Sequence, residues 1–436
     1  MSRASRETFS SRLGLVATMI GVAVGLGNVW RFPYMVGRYG GASFVLVYAL
    51  AVVLLCIPAL MAEWALGRQT RRGTLGAFER GGLPGGRGVG RFFFAVVAAA
   101  TAYYTLAIGW VLYAAIGQGV RALGGDWSEA TILPPETGFD LRSMGLQIAT
   151  TAVVILACVA VLLKGLRGGI EKASRWIVPA LFGTLLVLIL RSLTLPGAGE
   201  GIAWYILKFD FSALTPGAVF AALGQAFFSL SLGGTFMVVY GSYMDPEMPL
   251  RPDALLTAMG DLGAGLLAGL AILPAVVALG LEPGTGPGLI FFTLPKMFAA
   301  IPFGWFFGLI FFLALFAAAF LSDVAAFEVL VAGLTDNTRL RRRQAVWTMA
   351  AVVLVLALPP MINLRIFVPW DLTFGSGMQV LGSLAAVVTF AWFLRPEVAT
   401  RELGGARWLL YWLRFAVPAA LLLVGGWWLV SEVFGS

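Results

Sequence analysis

The sequence contains no histidine, only two cysteines and few charged residues, which make up 12% of its 436 positions. Without histidine, neither a Ser-His-Asp triad nor an imidazole proton relay can be built, and a zinc site loses a standard ligand. Cys56 and Cys158 both lie within apolar runs, where isolated thiols are packing residues more often than disulfide partners. Metal-hydrolase and redox chemistry are therefore excluded as the basis of function.

The sequence is instead rich in apolar residues. Hydrophobic side chains account for 59% of the chain, whereas a soluble protein carries about 25% charged residues. Apolar runs of roughly 20 residues recur along the whole sequence, and each is long enough to cross the ~30 Å hydrocarbon core of a lipid bilayer as a helix. The composition therefore predicts an all-α polytopic membrane protein.

The apolar runs predict about 11 transmembrane helices. We place them at residues 13–36, 42–67, 92–123, 142–163, 172–193, 217–243, 254–280, 304–334, 344–362, 370–394 and 407–431. The connections between them are short, so the chain is predicted to form a single transmembrane domain over residues 1–436. The first run is too long for a removable signal peptide and is predicted to be retained.

Basic residues are concentrated in the loops that follow even-numbered spans, such as 68–91 and 339–343. The positive-inside rule then places the N-terminus in the cytoplasm, and an odd number of spans places the C-terminus outside. The formal charge of +8 thus reflects topology and predicts no nucleic-acid partner. The short termini indicate a prokaryotic source, and hence the cell inner (plasma) membrane.

Two of the spans contain glycine and small polar residues at mid-membrane depth, at residues 21–28 and 229–235. Glycine costs a helix about 1 kcal/mol relative to alanine, so both segments are predicted to be unwound. Close helix packing through small residues is the alternative, but two matched breaks favour unwinding. Unwound backbone at this depth must line a cavity or be buried in protein, where its carbonyls suit a cation and helix N-termini suit an anion.

Acidic residues inside the spans are costly, so each is a candidate functional residue. They are Glu63, Asp261, Asp323, Glu328 and Asp371. Arg31, just after the first break, lies at a similar outward depth to Asp371. This pair predicts either a gate over a central cavity or a static ion pair.

Four motifs resemble signatures of the neurotransmitter:sodium symporter family, in its bacterial amino-acid transporter branch. They are Gly25-Leu-Gly-Asn-Val-Trp-Arg-Phe-Pro33, Glu63-Trp-Ala-Leu-Gly-Arg68, Gly224-Gln-Ala-Phe-Phe-Ser-Leu-Ser-Leu-Gly233 and Pro287-Gly-Leu-Ile-Phe-Phe-Thr-Leu-Pro295. The resemblance implies a 5+5 inverted repeat, with repeat one at about 10–195 and repeat two at about 215–395, in which helices 1 and 6 are broken at mid-membrane. One extra helix follows at 407–431, and the twelfth span of many relatives is absent.

The resemblance implies a first sodium site formed by the Ala23 carbonyl, Asn28, Ser229 and Asp261, together with the carboxylate of the substrate. Oxygen ligands of this kind suit a small, hard cation. Chloride-dependent relatives have Asn in place of Asp261, so we expect chloride independence. A protonated Asp261 that serves only as a hydrogen-bond donor is the alternative.

A second sodium site is implied at the carbonyls of Gly21 and Val24 and at three positions of the eighth span, so that one or two ions bind. Alignment without gaps assigns Ala318, Leu321 and Ser322 to these positions. Leu321 has no side-chain oxygen, whereas relatives carry Thr, Ser or Asp there. A shift of one residue assigns Ala319, Ser322 and Asp323, which keeps the i, i+3, i+4 spacing and restores both oxygens. Both registers remain open.

The ends of an amino-acid substrate are assigned by the same resemblance. The α-carboxylate falls to the backbone of Leu26 and Gly27 and to the Tyr104 hydroxyl. The α-amino group falls to the carbonyls of Ala23 and Phe228 and to the Ser231 hydroxyl.

The resemblance assigns the pocket for the substrate side chain to Ala100, Gly234 and Ala326, where the bacterial leucine transporter of this family carries larger apolar groups. Small walls leave room for a larger guest, and filling apolar volume is worth about 0.8 kcal/mol per buried CH₂. We therefore expect tryptophan, tyrosine, phenylalanine or leucine. Collapse of neighbouring side chains into the gap, with a small guest, is the alternative.

Two gates follow from the resemblance. Outside, Arg31 and Asp371 are expected to close over the site with Gln225 and the lid residue Phe228. Inside, Arg6, Asp336 and Tyr243 are expected to close the cytoplasmic pathway, with Phe9 packing the N-terminal segment. Glu63 is expected to bind backbone amides of the broken sixth span, and Glu328 has no assigned role.

These features together predict a sodium-coupled symporter that imports a hydrophobic, bulky or aromatic amino acid by alternating access, and not an enzyme. The alternative is a substrate-sensing or scaffold protein of the same fold that binds but does not transport. The missing oxygen at Leu321 is the feature that favours this alternative.

Overall fold

The long apolar runs fold as helices, and no strand occurs in residues 7–282, 284 and 289–433, which are the residues described by this computed structural model. The helices are α1 Arg12–Ala23, α2 Gly27–Tyr39, α3 Ala42–Thr70, α4 Thr74–Arg80, α5 Gly86–Ala122, α6 Leu141–Leu162, α7 Leu166–Leu193, α8 Ala198–Ile202, α9 Pro216–Ser229, α10 Phe236–Gly241, α11 Leu250–Ala278, α12 Leu289–Ala300, α13 Gly304–Asn337, α14 Arg342–Met361, α15 Leu364–Phe393, α16 Pro396–Glu402 and α17 Arg407–Ser431. The all-α membrane prediction is confirmed.

Nine of the described helices are long and apolar enough to cross a membrane, and the pair α1 and α2, bent by 52° at its break, adds one more. The shorter helices α9 and α10 lie where the sequence predicts the broken sixth span. The number of 11 spans stays a prediction. Exposed apolar side chains such as Leu156, Leu190 and Leu422 cover the outside of the bundle, as expected for a surface that faces lipid.

The two broken pairs occupy the middle of the bundle. Helix α1 packs against α7, α11 and α13, while α2 packs against α11. Both halves of the second broken pair, α9 and α10, pack against α3. Because long helices surround the breaks, the unwound backbone is shielded from lipid.

The first break begins where α1 ends at Ala23 and Val24 takes an extended conformation. Its freed backbone groups find side-chain partners. The Gly25 N–H donates to Asn28 Oδ1 at 3.1 Å, the Leu26 N–H donates to the Tyr104 hydroxyl at 3.1 Å, and the Gly27 carbonyl accepts from Gln225 at 2.9 Å. Since unpaired backbone groups are costly inside a membrane, these bonds stabilise the unwound conformation.

The second break separates α9 from α10 and contains residues with positive φ. The values are 52° at Ser231, 86° at Gly233 and 57° at Thr235, a region that favours glycine. The Gly233 N–H donates to Glu63 Oε1 at 3.0 Å. The structural role expected for Glu63 is thereby confirmed.

Candidate functional site

Asn28 of α2, Ser229 of α9 and Asp261 of α11 meet in a polar cluster that is at most 1% exposed. The Asn28 side-chain nitrogen lies 2.8 Å from Ser229 Oγ, 2.7 Å from Asp261 Oδ1 and 3.0 Å from the Asp261 carbonyl oxygen. Ser229 Oγ also donates to Asp261 Oδ2 at 2.8 Å. Three oxygens therefore surround the Asn28 side-chain nitrogen, and oxygen groups of this kind are the ligands that a small, hard cation prefers.

Ala23 and Ser231 lie beside this cluster. Ala23 is the last residue of α1, and both residues line the adjoining cavity. The Ser231 hydroxyl donates to the Val22 carbonyl at 3.1 Å. The structure thus brings the predicted amino-group ligands to the edge of the same cavity, where they join the two breaks.

A second group of oxygens surrounds the Ser322 hydroxyl of α13. Ser322 Oγ lies 3.0 Å from the Val22 carbonyl oxygen, 3.2 Å from that of Val24 and 3.5 Å from that of Gly21. A hydroxyl carries one hydrogen and donates to one acceptor at a time. The first break therefore presents more carbonyl oxygens at this point than the hydroxyl satisfies, which suits a cation.

The contacts of α13 bear on the two registers left open by the sequence. A Cβ added at Gly21 would lie 2.9 Å from Leu321 Cδ1, so Leu321 faces the first break next to Ser322. The Asp323 carboxylate instead accepts from Thr105 at 2.9 Å and from the Cys158 thiol at 3.6 Å.

These contacts fit the register with Ala318, Leu321 and Ser322. In the shifted register with Ala319 and Asp323, Asp323 would have to leave its partners on α5 and α6 to reach the break. The sequence favoured neither register, since i, i+3, i+4 spacing is the same in both.

A cavity opens between the two breaks and helices α5, α13 and α15. Its polar part contains the Tyr104 hydroxyl, which accepts from the Leu26 N–H at 3.1 Å, and the Ser322 hydroxyl, which also bonds Tyr104. Gly27 and Phe228 line the cavity as well. Backbone N–H groups at the start of a helix and a phenol hydroxyl are donors of the kind that suit an anionic group.

Ala100 and Ala326 line the same cavity one helical turn away from the polar part. Ala100 precedes Tyr104 on α5, and Ala326 follows Ser322 on α13. The helices are antiparallel, since Gly308 lies beside Gln118 at one end and Gly333 beside Phe94 at the other. Both alanines therefore lie on the same side of the polar part and form an apolar end.

Gly234 does not widen this apolar end in the way the sequence predicts. A Cβ added at Gly234 would lie 2.3 Å from Phe236 Cε2, so the ring of Phe236 fills the space of the missing side chain. Phe236 and Gln379 line the cavity, and sequence reasoning missed both.

A second cavity lies over the first one, on the side of the predicted outer gate. Arg31 and Asp371 both line it, and Phe228 lines both cavities. The Arg31 guanidinium carbon lies 4.5 Å from the centre of the Phe228 ring. The structure thus brings three of the predicted outer-gate residues together, while Gln225 bonds the Gly27 backbone.

On the predicted cytoplasmic side, Asp336 Oδ2 accepts from the Gly73 N–H at 2.8 Å. The Tyr243 hydroxyl donates to Glu328 Oε1 at 2.6 Å, and Glu328 forms an ion pair with Arg342 at 2.6 Å. Glu328, which the sequence leaves without a role, therefore links the second broken pair to α14.

The N-terminal segment packs against the same region. Phe9 is buried, and its ring stacks on Tyr240 with centroids 6.4 Å apart. Its N–H donates to the Tyr243 carbonyl at 3.4 Å. The predicted packing of Phe9 is confirmed, and Arg6 lies outside the described residues.

Comparison with known proteins gives matches over nearly the whole chain. The family described as "Sodium:neurotransmitter symporter family" matches residues 6–123 and 129–392. An uncharacterized sodium-dependent transporter of Haemophilus influenzae is 31% identical over 450 residues, which cover 96% of this chain and 97% of that protein. The uncharacterized sodium-dependent transporter YhdH of Bacillus subtilis is 30% identical over 456 residues, covering 97% and 98%.

A solved structure also matches. The crystal structure of MhsT in complex with L-phenylalanine aligns with a TM-score of 0.86 at 33% sequence identity, over 96% of this chain and 99% of that chain.

Proposed function

The chain belongs to the sodium:neurotransmitter symporter family and is a sodium-coupled, multi-pass membrane transporter, not an enzyme, and we propose that it imports an amino acid with a bulky, hydrophobic or aromatic side chain. One observation carries the proposal: the cluster of Asn28, Ser229 and Asp261 lies beside the Leu26 N–H and the Tyr104 hydroxyl. A cation site and a carboxylate site then share one helix break.

Sharing a break couples the two ligands. Sodium in the Asn28 cluster contacts the substrate carboxylate, which the backbone of Leu26 and Gly27 and the Tyr104 hydroxyl hold. Each ligand thereby raises the affinity for the other by the same factor. The carbonyls of Ala23 and Phe228 and the Ser231 hydroxyl receive the α-amino group, so that both ends of any amino acid are recognised.

The apolar end of the cavity receives the side chain. Ala100 and Ala326 leave space there, and the relative MhsT was crystallised with L-phenylalanine, which supports an aromatic guest. Phe236 occupies part of this space. A bulky substrate therefore requires the Phe236 ring to turn aside or to stack on the substrate.

We propose that transport is independent of chloride, because the Asp261 carboxylate supplies a negative charge next to the first ion. A second ion binds at the carbonyls of Gly21, Val24 and Ala318 and at the Ser322 hydroxyl. This second site is the weaker one, since Leu321 contributes no oxygen.

Alternating access moves the bound ligands across the membrane. Arg31, Asp371, Phe228 and Gln225 form the outer gate, and Asp336, Tyr243 and Arg6 form the inner one. Basic loops such as 339–343 support an orientation with the N-terminus in the cytoplasm and the C-terminus outside a prokaryotic plasma membrane.

Uptake of labelled phenylalanine or tryptophan into proteoliposomes tests the proposal. We expect accumulation when an inward sodium gradient is imposed, none with potassium, and equal rates in chloride and gluconate. Sodium-dependent binding without uptake would contradict transport and favour a sensor. Loss of activity on replacement of chloride by gluconate would contradict the role of Asp261.

Removal of the Tyr104 hydroxyl tests the carboxylate site. We expect Tyr104→Phe to weaken substrate binding roughly tenfold or more, because a hydrogen bond to a charged group is worth about 1.5–3 kcal/mol. Tyr113→Phe is the matched control on the same helix, since Tyr113 packs against Trp127 away from the cavity. Equal binding by both variants would contradict the assignment.

A further inference from the structure

Gln379 places an amide at the apolar end of the central cavity. It lies on α15 and lines the cavity together with Ala100, Ala326 and Phe236. Its carbonyl oxygen would lie 1.6 Å from a Cβ added at Gly233, so its backbone touches the second break next to Gly234. Gln379 therefore belongs to the side-chain end of the cavity, away from the carboxylate site.

The Gln379 side chain has no hydrogen-bond partner in the part of the chain that the structure describes. It is half-buried on a helix at membrane depth, and Ala100, Ala326 and Phe236, which line this end of the cavity with it, are apolar. An amide without a partner in such surroundings costs free energy. A ligand that brings a polar group to this point removes the cost.

We propose that Gln379 recognises a polar group at the tip of an aromatic substrate side chain, namely the phenol hydroxyl of tyrosine or the indole N–H of tryptophan. The inference rests on the proposed amino-acid transport and narrows its substrate class. An amide offers both a donor and an acceptor, so it bonds either group. Phenylalanine and leucine leave the amide unpaired and bind more weakly.

Phe236 supports the preference for a ring. Its side chain lies over Gly234 on the same wall as Gln379. A substrate ring that enters this end packs against the Phe236 ring, and aromatic pairs gain about 0.5–1.5 kcal/mol beyond the burial of their surface. Gln379 then distinguishes between rings by their polar tip.

Competition binding to the purified full-length protein in sodium tests the inference. We expect tyrosine to bind roughly fivefold to tenfold more tightly than phenylalanine, as one hydrogen bond predicts. 4-Methylphenylalanine, which has the shape of tyrosine without its hydroxyl, is expected to bind no better than phenylalanine. Equal affinities of tyrosine and 4-methylphenylalanine would overturn the inference.

A variant locates the effect at Gln379. Gln379→Met keeps the length of the side chain but removes the amide, so the ratio of tyrosine affinity to phenylalanine affinity is expected to fall to about one. Met378→Leu is the matched control, because this neighbour does not line the cavity. An unchanged ratio of tyrosine to phenylalanine in Gln379→Met would overturn the inference.

The two proposals fail in different ways. If no amino acid binds in a sodium-dependent manner, the proposed function fails and the inference falls with it. If phenylalanine and leucine bind with sodium but tyrosine and tryptophan bind no more tightly, only the role of Gln379 is overturned. If Gln379→Met does not fold, the comparison of tyrosine with 4-methylphenylalanine on the native protein still decides the outcome.

Discussion

Leu321 places an isobutyl group beside the point where Ser322 meets the carbonyls of Val22 and Val24. Because leucine has no side-chain oxygen, a cation at this point has fewer oxygen partners than it would have beside threonine, which weakens its binding. Leu321→Thr is expected to raise the apparent sodium affinity roughly threefold to tenfold, since one added polar contact is worth about 1 kcal/mol. Sodium titration of amino-acid binding measures the change.

Leu321→Val is the matched control for this substitution. Valine is branched at the same carbon as threonine but brings no oxygen. Equal sodium affinity of the threonine and valine variants would mean that no cation is bound next to Ser322.

Asp261 contributes a carboxylate to the cluster with Asn28 and Ser229. Asp261→Asn keeps the shape but removes the charge, and charges at contact distance interact strongly in buried surroundings. We expect sodium affinity to fall by about tenfold or more, and the remaining substrate binding to rise with chloride. Both are read from binding titrations in chloride and gluconate.

Asp210→Asn is the control for loss of a charge elsewhere. Asp210 lies in an exposed loop, and hydrogen bonds from Ser212 lower the pKa of its carboxyl, so the group is ionised at neutral pH. Sodium affinity that stays at the native value in Asp261→Asn would mean that Asp261 acts as a neutral hydrogen-bond donor.

The sequence predicts residues whose role depends on a local motif, such as Asn28 and Ser229 next to glycine-rich breaks. It does not predict Phe236, because the left-handed conformation of Thr235 turns the following ring back toward Gly234. It does not predict Gln379 either, since its place in the cavity arises from contact between α15 and the distant Gly233.

The second break and α15 are in direct backbone contact. Gly233 has φ 86°, and a Cβ there would lie 1.6 Å from the Gln379 carbonyl oxygen. Gly233→Ala forces these elements apart, so we expect the free energy of unfolding to fall by about 3 kcal/mol and sodium-dependent binding to be lost. Thermal unfolding in detergent measures the first effect.

Gly263→Ala provides the comparison for this element. Gly263 lies within α11, and a Cβ there meets no atom within 4 Å. We expect its stability to be unchanged or raised by up to about 1 kcal/mol, because alanine favours helix. If the two variants unfold at the same temperature, the close packing of α15 on Gly233 does not govern stability.

Whole helices follow from apolar runs, whereas short elements in the loops depend on distant partners. Helix α4, Thr74–Arg80, lies in a connection that the sequence predicts only as a polar loop. Its N-cap residue is Gly73, which has no side chain that could cap the helix. The carboxylate of Asp336, at the end of α13, binds the Gly73 N–H instead, and no local pattern contains that information.

At the scale of the molecule, two cavities are stacked and share Phe228 as a common wall. Sodium bound beside the central cavity is expected to favour the state that is open to the outside, because the substrate then binds to a preformed site. Substrate is expected to close Arg31, Asp371 and Phe228 over it. The rate at which a thiol in the outer cavity reacts therefore shows whether a ligand opens or closes the outer gate.

Ala107→Cys places such a thiol on the wall of the outer cavity. We expect a water-soluble thiol reagent to react faster in sodium than in potassium, and more slowly again when phenylalanine is added with sodium. The native protein is the control, because Cys56 and Cys158 are both buried and should not react. Identical rates in sodium and potassium would mean that sodium has no differential affinity for the two states, and an ion without such a difference cannot drive transport.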